Sequence, residues 1–154
     1  MKFYEKEVLS IPAGKSHKLV DEFNIYACPD TKYYNYKKSI FVGFRKSKGG
    51  VMERLYKIEE IIILNPTNES ELETFKNSTY SDKVKIRVSD YIRTEDFGKQ
   101  LEYDMRFYVL SESEKIELPH QPKPERNNAK FTYYTLTEVL TNKIIVPESK
   151  IVNG

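Results

Sequence analysis

The chain has 154 residues, with 25 lysines and arginines against 23 acids, 39% hydrophobic residues and 31% charged ones. That length suits one domain with an ordinary core. The uncharged apolar runs, residues 61–64 among them, are only a few residues long, far short of the ~20 residues of a membrane-spanning helix. The net charge of +2 does not by itself announce a polyanion partner, and it excludes none, because the distribution of charge matters more than its sum.

Cations are dense over residues 32–57 and again over 115–130, whereas acids gather at 59–73 and 95–117. The opening MKFYEKEVLS lacks the apolar centre of a secretory signal. The single cysteine, Cys28, allows no intrachain disulfide, and a cytoplasmic location is expected. Aromatic residues make up 13% of the chain, with 12 tyrosines, eight phenylalanines and no tryptophan, so many rings carry a polar end.

In chain order, residues 2–11 mix aromatic and β-branched residues and predict a first strand, stopped by Pro12. Residues 13–18 read as a loop, and 24–28 as a short second strand ended by the Pro29-Asp30 turn signal. Residues 31–38, TKYYNYKK, place Tyr33, Tyr34 and Tyr36 beside Lys37 and Lys38. That stretch is too polar for a core strand and too aromatic for an idle loop.

A central hairpin follows. Residues 40–44 are apolar on both faces, as in a strand covered on both sides, and Gly43 in the middle implies a bulge or a close approach. After a basic Gly-Gly tip, residues 51–64 also fit helical spacing, but the β-branched run at 61–63 favours a return strand.

Asn65-Pro66 breaks the chain, and Ser70 to Glu73 matches a capping box that opens a short helix over 70–77. Residues 83–88, KVKIRV, alternate and predict a strand with Val84, Ile86 and Val88 inward. Residues 89–97 predict a short helical turn closed by Gly98. Strands are predicted at 102–110 and 115–118, and a polar, proline-rich loop without a core residue at 119–130. Residues 131–135 return to strand composition. A second capping box at 135–138 opens a short helix, and the apolar segment 144–146 ends at Pro147. The sum is a single mainly β domain, α+β in class, whose short strands at hairpin spacing suggest a small curved β-barrel with a few flanking helices.

No catalytic motif stands out. Cys28, His17 and His120 lack the paired spacing of zinc ligands, and the glycines form no phosphate cradle. Glu148-Ser149-Lys150 has the carboxylate-x-lysine spacing of a metal-dependent nuclease, with Asp104 as an imaginable partner. The tyrosines fit one of two roles. They either pack at the rims of a barrel with their hydroxyls in water, or stack on single bases while neighbouring cations hold phosphates. Tyr33, Tyr34, Tyr36, Lys37 and Lys38 suit the second role, as do Arg45, Lys46 and Lys48 at the hairpin tip.

Two segments taken together carry a resemblance. The first is residues 36–64, YKKSIFVGFRKSKGGVMERLYKIEEIIIL. The second is residues 105–140, MRFYVLSESEKIELPHQPKPERNNAKFTYYTLTEVL. In order and composition they resemble the PUA-like superfamily, in particular the EVE-, ASCH- and YTH-like small barrels of nucleic-acid-directed and restriction or anti-phage systems. The resemblance implies a pocket between strands and loops where aromatic rings hold a flipped, often modified, base.

Carried over by position, Phe44 and Arg45 end the first hairpin strand near the expected pocket mouth. Tyr36 precedes that strand, and Tyr108 lies on the FYVL strand. The chain departs from the family in having no tryptophan for the cage.

The expectation is therefore a non-catalytic module that binds DNA or RNA and reads a modified or flipped base. It is expected to use no cofactor or metal, and to sit beside a nuclease or ATPase partner. The alternatives are a protein-interaction domain on the same barrel and a small metal-dependent nuclease.

Overall fold

The computed structural model describes residues 4–13, 17–95, 97, 100–127 and 130–151. Among them, the chain order is β1 (Lys6–Pro12), α1 (His17–Phe23), β2 (Ile25–Pro29), β3 (Ser39–Arg45) and β4 (Arg54–Leu64). There follow α2 (Glu69–Lys76), α3 (Asp82–Glu95), β5 (Met105–Glu117), β6 (Lys123–Pro124), β7 (Thr132–Tyr134), α4 (Leu136–Thr141) and β8 (Ile144–Ile145). Short 3-10 turns lie at Lys32–Tyr34 and Glu148–Lys150. The protein is mainly β, with a six-stranded sheet in the order β2-β5-β4-β3-β1-β7, a two-stranded sheet β6-β8 and a few short helices. None of the described helices is long and apolar enough to cross a membrane.

The chain forms two compact units. One comprises Met1–His17, Tyr36–Ile58 and Ser111–Gly154, and the other Lys18–Asn35 and Glu59–Leu110. In the first, β3 pairs antiparallel with β4, Val42 opposite Tyr56, across a tip where Gly49 and Gly50 take φ values of +77° and +71°. On its other side β3 pairs parallel with β1, Val8 opposite Phe41. Parallel strands are commonly buried on both faces, and Val8, Leu9, Ser10 and Ile11 are all buried.

Gly43 is the close approach that the sequence suggests. A Cβ there would lie 2.5 Å from Met52 Sδ and 2.9 Å from Leu55 Cδ2. The core of this unit gathers Val8, Met52, Leu55, Leu118, Tyr134, Val139 and Ile145.

In the second unit, α3 covers a core of Ile25, Ile62, Leu64, Phe75, Met105, Phe107 and Val109 with its own Val84, Val88 and Tyr91. This corrects the strand predicted at 83–88, which is the first half of a 14-residue helix. Val84 and Val88 satisfy a period of two and a period of 3.6 alike. Ile86 separates the two readings, and it is 61% exposed. The predicted helical turn at 89–97 is the second half of the same helix as far as Glu95, while Gly98 lies outside the described residues.

Arg87 fixes this helix to the chain around it. It donates to the carbonyls of Phe23 (3.2 Å), Asn24 (2.9 Å) and Leu110 (2.8 Å).

Other boundaries also move. The strands predicted at 102–110 and 115–118 are one continuous strand, β5. Helix α2 is capped by Asn68, whose Oδ1 accepts from the Glu71 N–H at 3.1 Å, and not by Ser70. The capping box at Thr135 forms as expected, with Thr135 Oγ1 accepting from Glu138 N–H at 3.1 Å. The proline-rich loop does carry core residues. Pro122 and Pro124 are buried, the Pro122 carbonyl accepts from Met52 N–H at 3.0 Å, and β6 pairs parallel with β8.

Candidate nucleic-acid interface

Strand β7 carries the part of the surface that best joins rings to cations. Successive strand residues point to opposite faces, and here Tyr134 enters the core, 1% exposed, while Tyr133 stays partly exposed. Phe131, just before the strand, meets Tyr133 nearly edge-on, with ring centroids 5.8 Å apart. On its other side it meets Tyr36 in the same way at 4.8 Å. Tyr36, Phe131 and Tyr133 are all partly exposed, and edge-to-face contacts add to the stability of such a group beyond area alone.

Hydrogen bonds hold the flanking chain in place. Tyr133 Oη accepts from the Lys37 N–H at 2.8 Å, which ties the segment between the 3-10 turn and β3 to β7. Burial raises the phenol's pKa, and the Lys37 hydrogen bond and the Lys6 charge draw it back in part. The Lys38 carbonyl accepts from Glu5 N–H (2.9 Å) and Lys6 N–H (3.1 Å). Lys6 Nζ then lies 5.6 Å over the Tyr133 ring and 3.2 Å from Glu148 Oε1. The Lys37, Lys38 and Lys130 side chains are exposed. The result is three rings in series within one unit, bordered by lysines.

The residues expected from sequence divide by burial and by unit. Tyr36, Lys37 and Lys38 belong to this aromatic-basic surface. Arg45, in the same unit, is 1% exposed and donates through Nη2 to the Lys130 carbonyl, so from inside it fixes the backbone beside Phe131. Its burial lowers its pKa, and the charge of Tyr134 works against that. Phe44 is 3% exposed and packs edge-on against Tyr56 at 5.7 Å. Lys46 and Lys48 are exposed at the hairpin tip, where Lys46 pairs with Glu53 at 2.5 Å and helps hold that carboxyl below its usual range.

Tyr33, Tyr34 and Tyr108 belong to the other unit. Tyr33 is 77% exposed, with Lys32 Nζ 5.7 Å over its ring. The Tyr34 carbonyl accepts from Arg106 Nη1 at 2.7 Å, and Arg106 also pairs with Asp30 at 2.5 Å. Tyr108 is 4% exposed, and its hydroxyl lies 3.3 Å from Arg106 Nη1. Rings as covered as those of Phe44 and Tyr108 offer no face to a base without rearrangement, and the same holds for the Arg45 guanidinium and a phosphate.

Sequence reading missed Lys6, Phe131 and Tyr133. The signal for the two rings was the pair of adjacent tyrosines at 133 and 134, since in a strand one of them must point away from the core. For Lys6 no local signal exists.

A shallow depression in the first unit is lined by His17, Phe44, Glu53, Arg54 and Tyr56 and is too slight to enclose even a water molecule. Its polar groups are engaged. Arg54 Nε is shared between the two oxygens of the Glu117 carboxylate at 3.0 and 3.3 Å, and Nη1 donates to the Tyr56 hydroxyl at 3.4 Å.

Among the described residues, no three His, Cys, Asp or Glu side chains gather as a metal site. Cys28 is buried, and burial pushes its thiol up to about 12, so it is protonated and unreactive at neutral pH. A comparison with protein-family models gives no match, and neither curated proteins nor solved structures yield a similar chain.

Proposed function

We propose that this chain is a non-catalytic nucleic-acid-binding module whose contact surface is centred on Tyr36, Phe131 and Tyr133. The observation that supports it is the series of three partly exposed rings bordered by Lys6, Lys37, Lys38 and Lys130. Aromatic rings stack on any base, at ~1–3 kcal/mol each, and lysines beside them hold the phosphates that position the strand. Such a surface suits a single strand, or a base swung out of a duplex, better than a paired helix whose bases are stacked on one another. On the PUA-like reading the ring series is the cage, made of Tyr and Phe in place of tryptophan, and a modified base is its preferred ligand. A nuclease or ATPase partner would supply catalysis.

The test is fluorescence anisotropy with short single- and double-stranded DNA and RNA, plain and base-modified, at two salt concentrations. We expect single strands to bind, with affinity falling steeply as salt rises. Phe131→Ala should weaken binding by ~1–3 kcal/mol. Lys37→Gln with Lys38→Gln should flatten the salt dependence by roughly one counterion per lost contact. Absence of binding to every oligonucleotide at low salt would sink this reading. A protein-interaction role would then stand in its place, favoured by Leu140, Ile144 and Val146, which are 41%, 55% and 38% exposed within seven positions of the first unit.

A further inference from the structure

Lys6 and Glu148 are 142 positions apart in the chain, yet their side chains form an ion pair of 3.2 Å, 23% and 36% exposed. The same ammonium stands 5.6 Å over the face of Tyr133, one of the three rings of the proposed contact surface. Lys6 therefore does two things at once. It places a cation beside that ring, where a bound strand's phosphate would need one, and it stands over a face on which a base would stack. Glu148 holds it there.

The turn that bears Glu148 is a single 3-10 turn beginning after Pro147. It is closed by Lys150 N–H to the Pro147 carbonyl (2.9 Å) and Ile151 N–H to the Glu148 carbonyl (3.1 Å). A carboxylate offers a lysine what a phosphate offers, which is anionic oxygen acceptors at hydrogen-bond distance.

We propose that Lys6 is a phosphate-binding residue of this surface and that Glu148 is its internal competitor, occupying Lys6 until a nucleic-acid phosphate displaces it. The inference rests on the nucleic-acid reading above. On binding, Lys6 exchanges a carboxylate for a phosphate and swings off Tyr133, and a base takes the ammonium's place on the ring. This gives Glu148 a role that needs no metal and no cleavage. It also makes the surface selective, because a ligand that brings a ring without an anion leaves Lys6 in place. An adenine or uracil base alone should therefore bind far more weakly than the corresponding nucleotide within a strand.

The experiment is a double-mutant cycle on the full chain, read by anisotropy with one single-stranded oligonucleotide at low salt. Urea denaturation of each variant is measured in parallel. Glu148→Gln is expected to bind roughly two- to fivefold more tightly than the native chain, the range that a partly exposed ion pair contributes. Glu148→Ser should do the same. Lys6→Gln should bind more weakly, and adding Glu148→Gln to it should change nothing further, since the competitor then has nothing to compete for.

If Glu148 were merely a structural staple, Glu148→Gln would lower stability and leave affinity unchanged. A folded Glu148→Gln variant no tighter than the native chain, while the native chain binds, overturns the inference alone. So does an equal gain on the Lys6→Gln background, which would be general electrostatics. Loss of binding in every variant and in the native chain overturns the nucleic-acid reading, and this inference with it.

Discussion

Arg45 ends β3 with a fully charged side chain that is 1% exposed and bonded to the Lys130 carbonyl. Its position at the start of a basic hairpin tip suggested a surface cation, since four of the next five residues are lysine or glycine. Burying a guanidinium is costly and is offset by the bonds its donors make, here the Nη2 bond to the Lys130 carbonyl. Arg45→Ala removes that bond and leaves a cavity. We expect a loss of stability on the order of 3 kcal/mol, the scale for deleting a large buried side chain, measured by urea denaturation. Were Arg45 instead a surface contact, the same change would leave stability within about 0.5 kcal/mol. Gly43 makes a similar point from the opposite direction. A strand-interior glycine signals that something comes close, but its neighbours Met52 and Leu55 are visible only once β3 and β4 are paired.

At the scale of elements, α3 gives the sharpest test of period. A strand over 83–88 would bury Ile86 with Val84 and Val88, whereas the helix buries Val84, Val88 and Tyr91 and leaves Ile86 61% exposed. Ile86→Lys should therefore change stability by no more than about 0.5 kcal/mol, as surface substitutions do. Val88→Lys, which puts an unpaired charge into the core, should unfold the protein. Circular dichroism of both variants checks this.

The error was physical in origin. Val84 and Val88 fit both periods, the alternation through Ile86 favours the strand, and only Tyr91, three residues beyond the window, completes the helical stripe. The β3–β4 hairpin was legible because Gly49-Gly50 and a long apolar return act locally. The parallel β1–β3 pairing was not, because nothing in residues 6–12 records which strand lies beside them. The candidate surface divides in the same way. Tyr36, Lys37 and Lys38 announce themselves by composition, while Lys6, Phe131, Tyr133 and Glu148 join them only through long-range packing.

Over the whole molecule, burial leaves a common mark on the groups that titrate at alkaline pH. Cys28 is pushed up to about 12 from 9.0, chiefly by desolvation, and burial raises Tyr91, Tyr133 and Tyr134 above 10.0 as well. Each of these keeps its proton in the folded chain at a pH where the unfolded chain has lost it. The native state then binds more protons than the unfolded one, so unfolding free energy falls as pH rises.

For Cys28 the stabilisation is complete below pH 9 and is lost as pH climbs from 9 toward about 12, at up to ~1.4 kcal/mol per pH unit. The tyrosines join above pH 10 and steepen the decline. Arg45, lowered from 12.5, acts in the opposite sense at the far alkaline end.

With no tryptophan in the chain, far-UV circular dichroism is the suitable probe for urea titrations at pH 8, 9, 10 and 11 at constant ionic strength. Stability should hold from pH 8 to 9, fall by about 1 kcal/mol to pH 10, and fall faster beyond. Cys28→Ala should flatten the step between pH 9 and 10 and make the decline above it shallower, leaving there only the share of the tyrosines. A native chain equally stable from pH 8 to 11 would mean that the Cys28 thiol and the Tyr91 and Tyr134 phenols are open to water, against their burial in the fold.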